Sequence, residues 1–322
     1  MSCMEVDTIA EKTTPLLKIM VLNAQDLFLF MEKHDQTSLE NLTEIKWQLM
    51  SSSLFMNKSK DKCIALAKTI KDADADIVMM TEVGGHESLA NFAKFVLNDE
   101  YTSLSLPSNS DRGIDLGYLV KKKLPYTLAL HSHIDYVLPF PAKRFSRDVL
   151  RLDLIRDEKI EMILLLVHIK SKLDMRKADF EGRTRRALEV KGLLQIYQKL
   201  LVHQVPILVG GDFNGHAGEK DTEEEFKQIY QDTDLKDIAF LAKIPEDERF
   251  SYVYFTRGGN RFVQQIDYLF ISEKFAHLIE PGECYFPRYK NPSGVQLPIP
   301  KRMEQKNTLP SDHYPFLASL RL

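Results

Sequence analysis

Short apolar runs, Leu-rich or β-branched and bounded by turn residues, recur along the whole chain. They cover residues 17–22, 77–80, 116–120, 149–155, 160–167, 206–209, 266–271 and 316–320. Several have no interleaved polar position, the pattern of strands buried on both faces. Between them the spacing turns helical: residues 61–71 carry Ile64, Leu66, Ala67 and Ile70, and residues 183–201 carry Ala187, Val190, Leu194 and Tyr197. Residues 27–57 also read as mainly helical, with Trp47 and Leu49 as core contacts. Strands and helices that mix without strict alternation predict an α/β (α+β) layered sandwich rather than a doubly wound sheet. The Pro-, Lys- and Arg-rich residues 281–310 read as a long surface loop, and long loops are often functional.

Composition narrows the class. With 44% hydrophobic residues there is enough apolar material for a core, which excludes disorder as the main state. Lys and Arg number 43 against 46 Asp and Glu, a net charge of −3, which argues against a generic nucleic-acid coat but leaves local basic patches open. Cys3, Cys63 and Cys284 are too few and too scattered for a disulfide framework or a zinc cluster, so free thiols in a reducing compartment are expected. No run approaches the ~20 apolar residues of a membrane span. Residues 1–18, with Glu5, Asp7 and Glu11, do not have the form of a signal peptide. A cytoplasmic location is therefore expected, with signal-independent export left open.

Polar groups that carry chemistry stand at the ends of these runs. Val209-Gly210-Gly211-Asp212-Phe213-Asn214-Gly215 places Asp212 and Asn214 at the carboxyl end of a strand, beside glycines that let the backbone turn tightly. Ser311-Asp312-His313 precedes the last run, Thr81-Glu82-Val83 follows the second, and His168-Ile169-Lys170-Ser171-Lys172 follows the fifth. Ile266-Asp267-Tyr268 buries an acid within an apolar run, where it needs a partner. Taken singly, each has an ordinary reading as a turn, a cap or a solvated group. In one sheet protein their strand ends can converge. Asn23, Glu82, Asp212 and Asp312 are hard oxygen ligands suited to Mg²⁺ or Mn²⁺ and unsuited to zinc. His168 and His313 could move protons near neutral pH, and Arg147, Lys170 and backbone amides could hold a phosphate. Such a set implies hydrolysis of a phosphate ester.

The ordered motifs Asn23-Ala24-Gln25-Asp26-Leu27-Phe28, Thr81-Glu82-Val83, Arg112-Gly113-Ile114-Asp115, His168-Ile169-Lys170-Ser171-Lys172, Gly211-Asp212-Phe213-Asn214, Ile266-Asp267-Tyr268 and Ser311-Asp312-His313 resemble the endonuclease/exonuclease/phosphatase superfamily. The likeness is greatest to its bacterial branch related to extracellular nucleases, and it spans nearly the whole chain from Lys18. It implies a four-layer α/β sandwich of two packed mixed β-sheets flanked by helices. It further implies an N-terminal tail, 1–16, and one domain, 17–322, with insertions near 30–57 and 281–310. On this resemblance Glu82, helped by Asn23 and Asp312, would coordinate Mg²⁺ (or Mn²⁺). Asp212 would orient or deprotonate the attacking water, Asn214 would hold a phosphate oxygen, and Asp267 would pair with His313, whose imidazole would contact the phosphate. His168 would stabilise the developing charge or assist the leaving oxygen. Gln25 and Asp26 depart from the Glu-Asn pair common in that branch, which puts one outer metal ligand in doubt.

The superfamily divides into nucleases, lipid phosphodiesterases and inositol phosphatases. An endonuclease acting on DNA, working as a monomer, is the favoured expectation. Candidate phosphate-tracking clusters are 121–123, 143–147, 170–172 and 176–186. A lipid phosphodiesterase, for which Leu27-Phe28-Leu29-Phe30-Met31 is the candidate interfacial run, and an inositol or phosphoinositide phosphatase are the alternatives. A binding module that keeps the fold without catalysis is disfavoured, because Glu82, Asp212, Asn214, Asp267, Asp312 and His313 are all present.

Overall fold

The structure is a computed structural model that describes residues 16–33, 38–172, 179–256 and 258–322, with nothing said of the Glu40 side chain. The expected tail at 1–16, save Leu16, and Cys3, part of the 30–57 insertion, and Arg176 of the last basic cluster lie outside the described residues.

Thirteen strands are described. The first seven are β1 (Leu16–Leu27), β2 (Ile77–Val83), β3 (Tyr101–Leu106), β4 (Asp115–Lys121), β5 (Thr127–His131), β6 (Val149–Arg156) and β7 (Lys159–His168). The rest are β8 (Ile207–Asp212), β9 (Leu235–Asp237), β10 (Tyr252–Phe255), β11 (Arg261–Gln264), β12 (Asp267–Ser272) and β13 (Phe316–Arg321). One mixed sheet runs β13-β1-β2-β4-β3 and the other β5-β6-β7-β8-β12-β9, while β10 and β11 form a separate hairpin. The two parallel pairs, β1 with β2 and β7 with β8, lie at the centres of their sheets.

Period-two alternation explains why two sheets stack and why helices cover them. From β1, Ile19 and Val21 point into the space between the sheets, where they meet Leu164, Leu166 and Leu208 of the other sheet. Their neighbours Met20 and Leu22 point outward, onto Cys63, Leu66 and Ile70 of the helix Lys60–Asp72. On the far side Ile163, Leu165 and Val209 point onto Val190, Leu193 and Tyr197 of the helix Arg183–Leu200. The result is helix, sheet, sheet, helix, as expected. Tyr118 crosses the central layer, its hydroxyl donating to the carbonyl of Leu150 (2.8 Å) or Leu164 (3.0 Å).

Three expectations are corrected. Residues 27–57 are not mainly helical: β1 runs on to Leu27, and the described helices there are Leu39–Asn41 and Glu44–Leu49. Trp47 is buried, its indole donating to the Lys58 carbonyl (2.8 Å), but Leu49 is 65% exposed because the short helix turns only Trp47 inward. Residues 281–310 are irregular but not wholly a surface loop, since Phe286, Tyr289, Lys306 and Leu309 are buried. The cluster Lys121-Lys122-Lys123 cannot follow a substrate at the strand ends that carry Glu82. Lys121 is buried at the opposite pole, paired with Asp74 and Asp76 ahead of β2. Among the described residues no helix is long and apolar enough to cross a membrane. Cys63 and Cys284 are free and buried.

Candidate active site

Strand polarity gathers the site. β1, β2, β7 and β8 all end at one pole, and Asp267, which opens β12, pairs in register with Asp212, which closes β8. The segment before β13 enters at the same pole, where Phe316 pairs with Val21. Asn23, Glu82, His168, Asp212, Asp267, Asp312 and His313 thus meet from six separate stretches of sequence.

Gly211 is required here for a reason other than a turn. It lies inside β8 with φ 134°, and a Cβ would stand 1.9 Å from the Val167 carbonyl oxygen, so the close approach of β7 to β8 depends on it. Asp212 is 1% exposed and held on both sides: Asn23 Nδ2 donates to Oδ2 (2.9 Å) and the Asn214 amide donates to Oδ1 (2.8 Å). His168 Nε2 lies 3.6 Å from Asp212 Oδ2 and 4.0 Å from Glu82 Oε1. The Asp212 carboxyl is pushed up to about 7, first by burial and then by Asp267. His168 falls well below its ordinary value, chiefly through burial and then through Arg147.

Asp267 finds its partner. Its Oδ2 lies 2.7 Å from His313 Nδ1, and its backbone amide donates to Ser251 Oγ (3.0 Å). Burial pulls the His313 imidazole down, but Asp267 and Asp212 outweigh it and hold it well above its ordinary value. The pair orients Nε2 toward the carboxylate cluster, 3.9 Å from Asp312 Oδ1. His313→Ala is expected to lower turnover by ~10²–10⁴. Asp267→Asn should lose less, since it only mis-orients the ring. Steady-state rates of the two purified variants check this, and the reverse order would dispute the pairing.

Glu82 sits on a bulge where the register of β2 with β4 shifts between Met80 and Val83, with φ 58°. Gln25 and Asp26 on the matching irregularity of β1 are also left-handed, at 49° and 53°, as is Asn214 at 53°. The backbone of Asp26 donates to Glu82 Oε2 (3.1 Å), and its own carboxylate pairs with Arg112 (2.8 Å). Glu82 is raised above the usual carboxylate range by burial and then by Asp26. This partly buried carboxylate, meeting a backbone amide and a distant imidazole nitrogen, fits a divalent cation, and with the second lone pair of Asn23 Oδ1 it would anchor one. Asp212, Asp267 and His313 also bring a ligand atom each to within 4.8 Å of one another; the Asp267–His313 hydrogen bond uses Asp267 Oδ2 and His313 Nδ1, and Asp267 Oδ1 has no hydrogen-bond partner among the described residues.

The phosphate-binding candidates are placed less directly. Arg147 is 9% exposed, its Nε has no hydrogen-bond partner among the described residues, and its charge is felt by Glu82, Asp212 and His168. Lys170 turns its Nζ onto Ser171. Asn214 donates one amide hydrogen to the Ile169 carbonyl (3.1 Å), leaving the other for an oxygen ligand.

Further partners complete the site. Glu189, in mid-helix, accepts from the backbones of Ser146 and Lys170 (both 2.8 Å) and so ties together the loops that bear Arg147 and Lys170. Gln25 Oε1 accepts from the Asp312 amide (3.0 Å), and Lys306 Nζ stands 3.2 Å from Asp312 Oδ2.

Residues 64–313 match the Endonuclease/Exonuclease/phosphatase family. Among curated proteins no sequence match is found. Truncated TDP2 of Caenorhabditis elegans is similar in structure, with a TM-score of 0.57 at 17% identity over 95% of this chain and 98% of that one. D. rerio TDP2 complexed with single strand DNA product has a TM-score of 0.60 at 14% identity, over 95% and 99%. The human Nocturnin catalytic domain with bound sulfate anion has a TM-score of 0.57 at 17% identity, over 95% and 94%. Likenesses at such identities show the fold, the same two-sheet sandwich. The match over most of the sequence shows more: this chain belongs to the endonuclease/exonuclease/phosphatase family.

Proposed function

We propose that the chain is a divalent-metal-dependent phosphodiesterase acting on nucleic acid. The observation that carries the chemistry is the buried Asp212, held by Asn23 and Asn214 and raised toward neutrality, beside His168 and the Asp267–His313 pair. A cation anchored at Glu82 would neutralise phosphate charge and favour attack. Asp212 takes the proton of the attacking water, and the new oxygen–phosphorus bond forms as the opposite ester bond breaks. His313, kept charged by Asp267, meets the phosphate oxygens, while Asn214 and Arg147 hold them in place. His168, uncharged in this setting, donates a hydrogen bond to the oxygen that departs.

Nucleic acid is favoured by flat aromatic surfaces beside the site. Phe28 and half-exposed Phe55 stack at 4.9 Å and 6°, with Phe28 lying over Gly84, two residues from Glu82. Tyr254 and Phe262 stack at 5.3 Å on the β10–β11 hairpin, whose first residue, Tyr252, packs 4.9 Å from the His313 ring. Stacked rings that flank a phosphate site suit unpaired bases. TDP2 bound to single strand DNA product shares the fold. Incubation of a single-stranded oligonucleotide and of supercoiled plasmid with Mg²⁺, with EDTA, and with the Asp212→Asn variant tests the reading. Cleavage that needs the metal and is lost in the variant is expected, fastest on the single strand. Arg144→Glu, on the rim loop before β6, should lower binding and flatten its salt dependence by about one charge.

A lipid phosphodiesterase is the second reading, and Leu54-Phe55-Met56 favours it: Leu54 is fully exposed and Met56 75% exposed. The run Leu27 to Met31 is not itself that surface, because Leu27, Leu29 and Met31 are buried and only Phe28 and Phe30 face out. Release of a phosphorylated headgroup from sphingomyelin vesicles, with no oligonucleotide cleavage, would transfer the assignment.

A further inference from the structure

We infer that Lys306 is a resident cation of the catalytic centre: it holds Asp312 as its own partner, so that Asp312 is not a metal ligand, one divalent ion anchored at Glu82 serves the site, and the lysine offers the substrate phosphate a fixed positive charge. The inference rests on the phosphodiesterase reading above.

Lys306 comes from the helix Met303–Asn307, in an insertion that no motif covers. Every other residue of that helix is exposed, whereas Lys306 is turned inward and is 5% exposed. An inward lysine on an otherwise solvated turn needs a strong partner. It has two: Asp312 Oδ2 at 3.2 Å and the face of the Tyr252 ring at 3.7 Å. The same Tyr252 ring lies 4.9 Å from His313, so Lys306 Nζ and the imidazole share one pocket wall.

The rest of this corner is closed to a second cation. Asp312 also faces His313, its amide is fixed on the neutral side chain of Gln25, and the Gln25 carbonyl accepts from Lys58 Nζ at 2.9 Å. Lys58 is itself only 9% exposed. Asp312 thus pairs with one buried lysine, faces a histidine and feels the charge of a second lysine, Lys58, through space. Glu82 feels Arg112, Arg147 and His313, but among the described residues no lysine or arginine pairs with it directly, whereas Lys306 occupies Asp312, so a hard cation is favoured at Glu82 over Asp312.

Mn²⁺ binding, counted by electron paramagnetic resonance, and binding of inorganic phosphate to the EDTA-treated full chain test this. Wild type should bind one Mn²⁺, and Asp312→Asn should bind it within about twofold of wild type. Lys306→Met, which keeps the length of the side chain, should bind Mn²⁺ at least tenfold tighter as Asp312 is released, and phosphate about tenfold more weakly. Lys306→Arg should retain phosphate binding. A tenfold loss of Mn²⁺ affinity in Asp312→Asn would overturn the inference by making Asp312 a ligand. So would unchanged Mn²⁺ and phosphate affinities in a Lys306→Met protein of native circular dichroism. If Lys306→Met fails to fold, the Asp312→Asn result decides. If no protein binds Mn²⁺ while phosphate binding still falls in Lys306→Met, the metal-dependent reading fails and the lysine's role as the fixed cation stands.

Discussion

Asp212→Asn should lose at least ~10³-fold of turnover and keep the fold. The replacement has the same shape and its amide oxygen can still accept from Asn23, but its amide nitrogen cannot accept from the Asn214 backbone, so one hydrogen bond is lost together with the capacity to take a proton. The expected stability change makes the prediction sharper. In the folded, metal-free protein this carboxyl is raised to about 7, above its ordinary 3.8, by burial and then by Asp267. An acid whose folded value is raised contributes fully below its unfolded value and loses that contribution as pH climbs through the folded one. Metal-free wild type should therefore melt at progressively lower temperature between about pH 4 and pH 7, and Asp212→Asn should show less of that decline. Wild-type turnover should rise over the upper part of the same range, with a bound cation moving the rise to lower pH. Thermal melts in EDTA and a pH–rate profile measure both. Near-normal turnover in the variant would remove Asp212 from the role of base.

Glu82→Gln should lower Mg²⁺ affinity by ~10² and turnover by ~10²–10⁴. Gln keeps the hydrogen bond from the Asp26 backbone, which reaches Glu82 Oε2 at 3.1 Å, so the loss isolates the charge. Removing a partly buried carboxylate that stands beside Asp26 should leave the metal-free protein as stable as wild type or more so, which separates a lost ligand from a broken fold. Isothermal titration with Mg²⁺ provides the number. Unchanged affinity would shift the ion to the trio Asp212, Asp267 and His313.

Both predictions draw on residues that were readable in the sequence, for a physical reason. The eight apolar runs correspond to β1, β2, β4, β6, β7, β8, β12 and β13 because strands largely buried on both faces carry few polar residues, and a charged residue at the edge of such a run stands out. The strands that gave no signal are weakly buried or very short: β5 is exposed or half-exposed along its length, and β9 has three residues. Trp47 was recognisable as core, but the helix around it was overextended, because the surrounding polar residues bond to loops and not to successive turns. Asn57, for example, caps Phe30 and Trp47. Glu189, Ser251 and Lys306 are not legible as site residues, and Gln25 is legible only as a departure from the family's Glu-Asn pair. Glu189, Gln25 and Ser251 act through contacts made across tens or hundreds of positions, Lys306 acts through nearby Asp312 and distant Tyr252, and nothing in the local pattern of a helix distinguishes Glu189 from a solvated glutamate.

The four left-handed residues at the pole, Gln25, Asp26, Glu82 and Asn214, have side chains that favour other backbone shapes by roughly 1–3 kcal/mol each. Hydrogen bonds between the site's own members keep them there: Asp26 to Glu82, Asn214 to Asp212, Gln25 to Asp312. Reactive side chains and backbone curvature are therefore not independent variables. A small carboxylate or amide added from solution to a variant truncated at one of these positions would meet a loop already relaxed toward an ordinary conformation, and chemical rescue would recover only part of the lost rate. Transplanting the same side chains onto another two-sheet scaffold would likewise require the bulges of β1 and β2 to travel with them.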